Sequence, residues 1–214
     1  MDHLDHPIFI ESMRIIRERL GATGHEGVES EVLERLVHSS GDLSIAPDLR
    51  FSAGACQRGM AALASGAVIL TDTAMAAAAV APMAGRTFAN PVRSILGWAP
   101  ALAPAGGTRS AEGMAAALAE HPQAVVLIGS APTALERLLE LQQPASLRAP
   151  EPSLALSPAL VIGMPVGFVG VAESKRHLAG SGLPQIRLEG SKGGAGLAAA
   201  AVNALLRRAW LDRS

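Results

Sequence analysis

Five short apolar runs, each followed by a segment of helical period, constrain the architecture of this chain most strongly: Ala67 to Leu70, Val92 to Leu96, Ala124 to Ile128, Leu160 to Ile162 and Gln185 to Leu188. The central runs are continuously apolar instead of alternating, as strands buried on two faces should be. Strands joined by helical crossovers lie parallel, and right-handed crossovers wind the helices over both faces. The expectation is an α/β fold with a doubly wound, mostly parallel sheet of about five strands, helices on both faces and an N-terminal helical segment. One domain is expected over residues 1–214, with the helical segment at 1–50 and the βα core at 66–209.

The helical segment reads from its periodicity. Phe9, Met13, Ile16 and Leu20 form one stripe of a helix that starts after Pro7 and stops at Gly21. A second helix is expected from about Val28 to Ser39, with Val28, Val32, Leu33, Leu36 and Val37 inward and Gly41 as a left-handed terminator. The stretch Leu141 to Pro158, with Pro144, Pro150, Pro152 and Pro158, reads as a surface excursion within the domain.

Composition excludes several functions. Lys+Arg 18 against Asp+Glu 19 leave a formal charge of −1, so the positive field that nucleic acid or an anionic membrane would need is missing. All but two of the cations, Lys175 and Lys192, are arginines, whose planar fork suits carboxylates and phosphates. A lone Cys56 excludes an intramolecular disulfide, and the six histidines are scattered without metal-ligand spacing. The acidic, polar start (Asp2, His3, Asp5, His6) is unlike a signal peptide, and the apolar stretch 60–84 is interrupted by Asp72 and Pro82. A cytoplasmic protein is expected.

In open parallel sheets ligands bind beyond the carboxyl ends of the strands. Here those positions carry Thr71-Asp72-Thr73, Gly106 to Ser110, Gly129 to Thr133, Gly163 to Gly170 and Gly190 to Gly194. Gly163 to Gly170 reads either as a smooth wall for a large flat ligand or as a turn with ordinary packing glycines. Gly194-Ala195-Gly196 with Ala199 is a loose dinucleotide pattern. It follows the last strand, so no later strand can supply the acidic ribose ligand. Glu173-Ser174-Lys175 opens a helix and is read as a solvated first turn.

His38 occupies the last turn of the second helix, on its polar face. The partial negative charge there favours imidazolium, so the ring serves either as a proton donor held near its charged form or as a residue completing the helix end. Arg35, one turn earlier, either binds an anion beside that donor or pairs with Glu31.

These residues together resemble the precorrin-8X methylmutases and their cobalt-precorrin-8 counterparts in cobalamin biosynthesis. The similarity covers nearly the whole chain. It runs from Pro7-Ile8, Ser12 and Ile15-Ile16, through Arg35-Leu36-Val37-His38-Ser39-Ser40-Gly41-Asp42, to Val202-Asn203-Ala204-Leu205. Its strongest stretches are Ile128 to Leu135 and the string from Gly163 to Lys175.

The resemblance implies an isomerase that moves a methyl group from C-11 to C-12 of precorrin-8X by a 1,5-sigmatropic shift, giving hydrogenobyrinate or its cobalt analogue. It implies no cofactor and no metal ligand. The family's catalytic histidine falls on His38, its substrate-binding serine on Ser12, its arginine on Arg35 and its Thr-Arg-Ser motif on Thr108, Arg109 and Ser110. Together with the strand-end loops, this gives expected substrate contacts at Ser12, Arg35, Asp72, Thr73, Arg109, Ser110, Ser130, Thr133, Met164, Val166, Gly167, Phe168, Lys192 and Gly193. A flat ring rimmed with acetates and propionates calls for smooth walls plus such carboxylate partners. Homodimers with the site near the interface, and hand-over of product to neighbouring corrin-pathway enzymes, are also implied. The alternative is a non-catalytic corrinoid carrier that retains the product. The chain departs from the family at Ala74 to Ala79, where bulk and a glycine are lost, at Ser130 in place of Asn, and at Ala195 in place of Ser.

Overall fold

The computed structural model describes residues 5–142 and 157–213. In chain order it has α1 (Pro7–Leu20), α2 (Val28–Ser40), a 3-10 segment (Leu43–Asp48), β1 (Leu49–Phe51), α3 (Ala55–Ala64), β2 (Ile69–Thr71) and α4 (Ala74–Arg86). Then follow β3 (Val92–Ser94), a 3-10 turn (Ile95–Gly97), α5 (Arg109–Glu120), β4 (Val125–Ile128), α6 (Pro132–Gln142), β5 (Leu160–Gly163), α7 (Val171–Gly180), β6 (Gln185–Leu188) and α8 (Ala195–Arg213). Most of the expected surface excursion between Leu141 and Pro158 lies outside the described residues, while Leu141 and Gln142 close α6.

The sheet has six strands in the order β1-β6-β5-β4-β2-β3, parallel except for β1, which pairs antiparallel with β6 (Leu49 opposite Leu188). The five expected runs are β2 to β6; β1 is a sixth strand, and it takes Leu49 and Arg50 out of the segment 1–50 read as helical. A three-residue edge strand is too short to leave a periodic signal. The run at Val92 is also shorter than its apolar stretch: Ser94 Oγ accepts from Leu96 N–H and starts a 3-10 turn in place of more strand.

Alternate side chains of the central strands enter opposite cores, as the pleat requires. Val125, Leu127, Leu160, Ile162 and Ile186 point into one, with α1, α2, α3, α4 and α8. Val126, Ile128 and Val161 point into the other, with α5, α6 and α7. Both faces are therefore covered, as the continuous apolar runs demanded. α8 is central to the first layer and is buried along most of its length.

Strands β3 and β4 lie on opposite sides of β2, with their crossovers on opposite faces. The topological switch, where the connections diverge and leave a crevice, therefore sits beyond the carboxyl ends of β2 and β4. At the end of β4 a Cβ on Gly129 would come within 2.6 Å of the Ala195 backbone. Only a glycine lets the strand end meet the start of α8 this closely.

Candidate active site

Two helices build the first part of the site. Pro7 fits the first turn of α1, and Gly41, at φ 68°, closes α2 by donating its N–H to the Val37 carbonyl. Met13 and Ile16 of α1 share a core with Val32, Leu33 and Leu36 of α2. That packing sets Ser12 Oγ 2.8 Å from His38 Nδ1, across 26 residues of sequence. Phe9 meets the imidazole edge-on, with centroids 5.4 Å apart. The Arg35 guanidinium stacks on Phe9 at 4.8 Å, and Arg207 of α8 lies 5.7 Å from the same ring.

Arg35 does not pair with Glu31, the alternative its spacing had allowed. Arg207 and Arg208 occupy Glu31 at 3.2 and 3.4 Å, and Arg17 occupies Glu34 at 2.8 Å. Arg35 Nε is buried without a hydrogen-bond partner. A planar cation with an unused buried donor beside the histidine is suited to an incoming carboxylate. Phe9, Asp5 and Arg207, which organise this corner, were not singled out in the sequence. Phe9 looked like one more member of the buried stripe, and the Arg207–Asp5 ion pair joins opposite ends of the chain.

The charge of His38 differs from the sequence expectation. Partial burial of the ring, and secondarily the Arg35 cation, hold its pKa below the ordinary 6.5, so the imidazole is the dominant form at neutral pH. With Nδ1 engaged by the Ser12 hydroxyl, Nε2 is left to face a ligand. Arg35→Met is expected to raise the His38 pKa part of the way towards 6.5, because burial, the larger cause, remains. An NMR titration of the imidazole C–H resonances reads the shift, and an unchanged or lower value contradicts this assignment.

The second part of the site lies at the topological switch. Asp72, 1% exposed, accepts through Oδ2 the N–H groups of Gly129, Ser130 and Ala131 at 3.0, 2.6 and 2.8 Å. Oδ2 is thus committed beneath the β4–α6 loop, while Oδ1 is buried without a hydrogen-bond partner, so the residue expected at the ligand is withdrawn from solvent. Ser130 itself is exposed on that loop. Thr73 caps α4 by accepting from Ala76 N–H, and Thr108 caps α5 by accepting from Ala111 N–H. Thr108, Ser110 and Thr133 form a triangle of hydroxyls 2.9 to 3.2 Å apart between the starts of α5 and α6. Arg109 is exposed and folds back so that Nε donates to the Pro100 carbonyl at 2.8 Å.

The third part is formed by the loops after β5 and β6. Met164 is fully buried and belongs to the core, a correction to its expected place at the ligand, whereas Val166 and Phe168 are exposed. Gly167 N–H donates to the Ser191 carbonyl at 3.0 Å and Gly194 N–H to the Met164 carbonyl at 2.8 Å, so the two loops form one unit. A Cβ on Gly193 would lie 2.0 Å from the Met164 oxygen, a separation no side chain tolerates. Lys192 Nζ reaches Asp42 Oδ2 at 2.8 Å and the Ser44 hydroxyl, which ties this unit to the segment just after His38. These contacts, led by the one to Lys192, hold the Asp42 carboxyl at a pKa of about 2.

The residues expected at the ligand thus gather along the carboxyl edge of the sheet and the adjoining end of α2. The cleft beside Arg35 measures only about 30 Å³. A typical ligand pocket is about 300–1,000 Å³, so a broad ligand would have to lie across the open edge. A larger groove of about 500 Å³, lined by Gly66, His121 and Ala159 among others, sits at the amino ends of the strands, away from this chemistry. Among the described residues no group of three His, Cys, Asp or Glu side chains is placed to hold a metal ion. No helix among them is long and apolar enough to cross a membrane.

Comparison with known proteins points one way. Residues 7–208 match the family described as CbiC, precorrin-8X methylmutase. The chain is 36% identical to the cobalt-precorrin-8 methylmutase of Synechocystis, covering 98% of both chains. It is 42% identical to the precorrin-8X methylmutase of Pseudomonas aeruginosa, covering 92% of this chain and 93% of that one. The crystal structure of the precorrin-8x methyl mutase from Thermus thermophilus superposes with a TM-score of 0.81 at 38% identity, over 95% of this chain and 98% of that one.

Proposed function

The chain belongs to the precorrin-8X methylmutase family, and from that premise we propose that it is an isomerase moving a methyl group from C-11 to C-12 of precorrin-8X, or of its cobalt-bearing counterpart, in cobalamin biosynthesis. The observation that carries the mechanism is the Ser12–His38 contact beside an uncommitted Arg35.

Ser12 fixes the imidazole plane, and His38 Nε2 donates a hydrogen bond to the macrocycle or, as imidazolium, a proton that returns to the ring nitrogen of His38 once the methyl group has moved. The rearranging π system becomes more electron-poor, and the methyl group shifts within one molecule without any external acceptor. Arg35 engages one peripheral carboxylate of the ring and keeps its reactive edge at the histidine. The hydroxyl triangle of Thr108, Ser110 and Thr133, the exposed Ser130 hydroxyl and the loop amide of Gly193 receive others, with Arg109 and Lys192 as cationic neighbours. Val166, Gly167 and Phe168 form the wall against the ring face, and Thr73 stands at the β2 end of the same edge. A low-barrier route of this kind needs preorganised donors more than covalent chemistry.

The open edge also carries large exposed apolar side chains: Phe168 at 94% exposure, Val169 at 89% and Leu102 at 83%. Surfaces of this kind mark association. We assign them to a second copy of the chain that covers the macrocycle in a homodimer, from which the product passes to the next corrin-pathway enzyme.

Incubating the protein with precorrin-8X and following the visible spectrum tests the reading. Conversion to hydrogenobyrinate supports it. A folded protein that binds hydrogenobyrinate in equilibrium dialysis but leaves the precorrin-8X spectrum unchanged is a carrier, and the isomerase reading falls.

A further inference from the structure

Among the described residues Lys175 has the bulkiest side chain of those fully withdrawn from solvent, at 1% exposure. The sequence placed it in a solvated first turn of α7, but the structure turns it inward. Burying an ammonium is costly unless its N–H groups find acceptors. Here Nζ donates to the carbonyl oxygens of Gly190 at 2.9 Å and Lys192 at 2.6 Å.

Those two carbonyls flank Ser191, whose own carbonyl accepts from Gly167 of the opposing loop. The same loop carries Lys192 to Asp42, four residues after His38, and presses Gly193 onto Met164. One buried amine thus underlies a loop that touches the glycine wall on one side and the end of the histidine helix on the other. A methionine of similar length would fill the space and leave both carbonyls without their donor. Burial lowers the amine pKa to about 8 against the attraction of Asp48. The neutral amine still has two N–H groups, one for each carbonyl.

We propose that Lys175 is a positioning residue for the methyl transfer, holding the 189–194 loop so that Lys192, Gly193 and the glycine wall meet the macrocycle in register. This rests on the methylmutase reading. Lys175 does not itself touch the ring.

The test compares the wild type, Lys175→Met, Lys192→Ala and the double variant. The readouts are kcat and KM for precorrin-8X, the Kd for hydrogenobyrinate, and amide hydrogen exchange across 189–194. Lys175→Met is expected to raise KM and Kd roughly tenfold and to lower kcat by up to about 10²-fold, the scale of a 1 Å misplacement. Exchange across 189–194 accelerates. In the Lys192→Ala background the same substitution costs less, because part of what the loop positions is already gone. A general loss of stability would produce neither the localised exchange nor the non-additivity. Should Lys175→Met fail to fold, Lys175→Gln, which keeps one donor, takes its place with a smaller loss in the same direction. A folded variant whose KM, Kd and kcat stay within about twofold of wild type overturns the proposal, as does a loss of equal size in both backgrounds. A wild type that leaves precorrin-8X unchanged overturns the methylmutase reading and takes the proposal with it. An active wild type beside an indifferent Lys175→Met overturns the proposal alone.

Discussion

His38→Ala is expected to lower kcat for the methyl shift by about 10²–10⁴-fold, the usual contribution of a positioned proton donor, while leaving hydrogenobyrinate binding within about tenfold, or 1.4 kcal/mol, of wild type. The two effects separate because the residues assigned to the ring walls and rim, Arg35 of α2 and those at the carboxyl edge of the sheet, do not depend on the imidazole. His38 is a surface residue of α2, and truncating it removes one contact to Ser12 and one to Phe9. The fold should therefore survive. The lowered His38 pKa adds a sign: if imidazolium is the working form, kcat/KM falls as pH rises through a value below 6.5. Single-turnover spectra of wild type and variant, read against a tetrapyrrole titration of each, check the expectation. A variant that converts precorrin-8X at nearly the wild-type rate removes His38 from the chemistry.

Asp72→Ala is expected to destabilise the protein by about 3–5 kcal/mol, because three loop N–H groups lose a charged acceptor in a buried setting. The donors are Gly129, Ser130 and Ala131, which shape the end of β4 at the topological switch. Asp72→Asn keeps one oxygen for those donors and should lose less. Urea denaturation of the three proteins reads the difference, and a loss below about 1 kcal/mol for Asp72→Ala would place those amides in contact with water. Activity should fall with the alanine variant even where the fold persists, since Ser130 rides on the same loop.

Much of this architecture was legible because parallel strands buried on both faces carry a strong one-dimensional signal. β6 spans the residues its apolar run marked, and Gly21 and Gly41 close α1 and α2 where their positions indicated. The edge strand at Leu49–Phe51 escaped notice because pairing with β6, not local pattern, makes it a strand. In the site, the string around His38 carried a family resemblance, and the Ser12 contact follows from α1 lying against α2. What the sequence does not express is the third dimension of charge. Asp72 and Lys175 look like loop and helix-start polar residues, yet both are buried, one collecting N–H groups and the other carbonyls. The lowered His38 pKa has the same origin: helical spacing places Arg35 beside the ring, but the partial burial that is the larger cause, with Phe9 of α1 against the imidazole, comes from packing between helices.

The most direct measurement is a crystal structure of the protein with hydrogenobyrinate bound. The account predicts the corrin across the carboxyl edge of the sheet, with His38 Nε2 at the C-11/C-12 side, Arg35 on a peripheral carboxylate and a second copy of the chain over the exposed Phe168. A corrin seated instead in the groove beside Gly66 and His121, with His38 facing solvent, would contradict it.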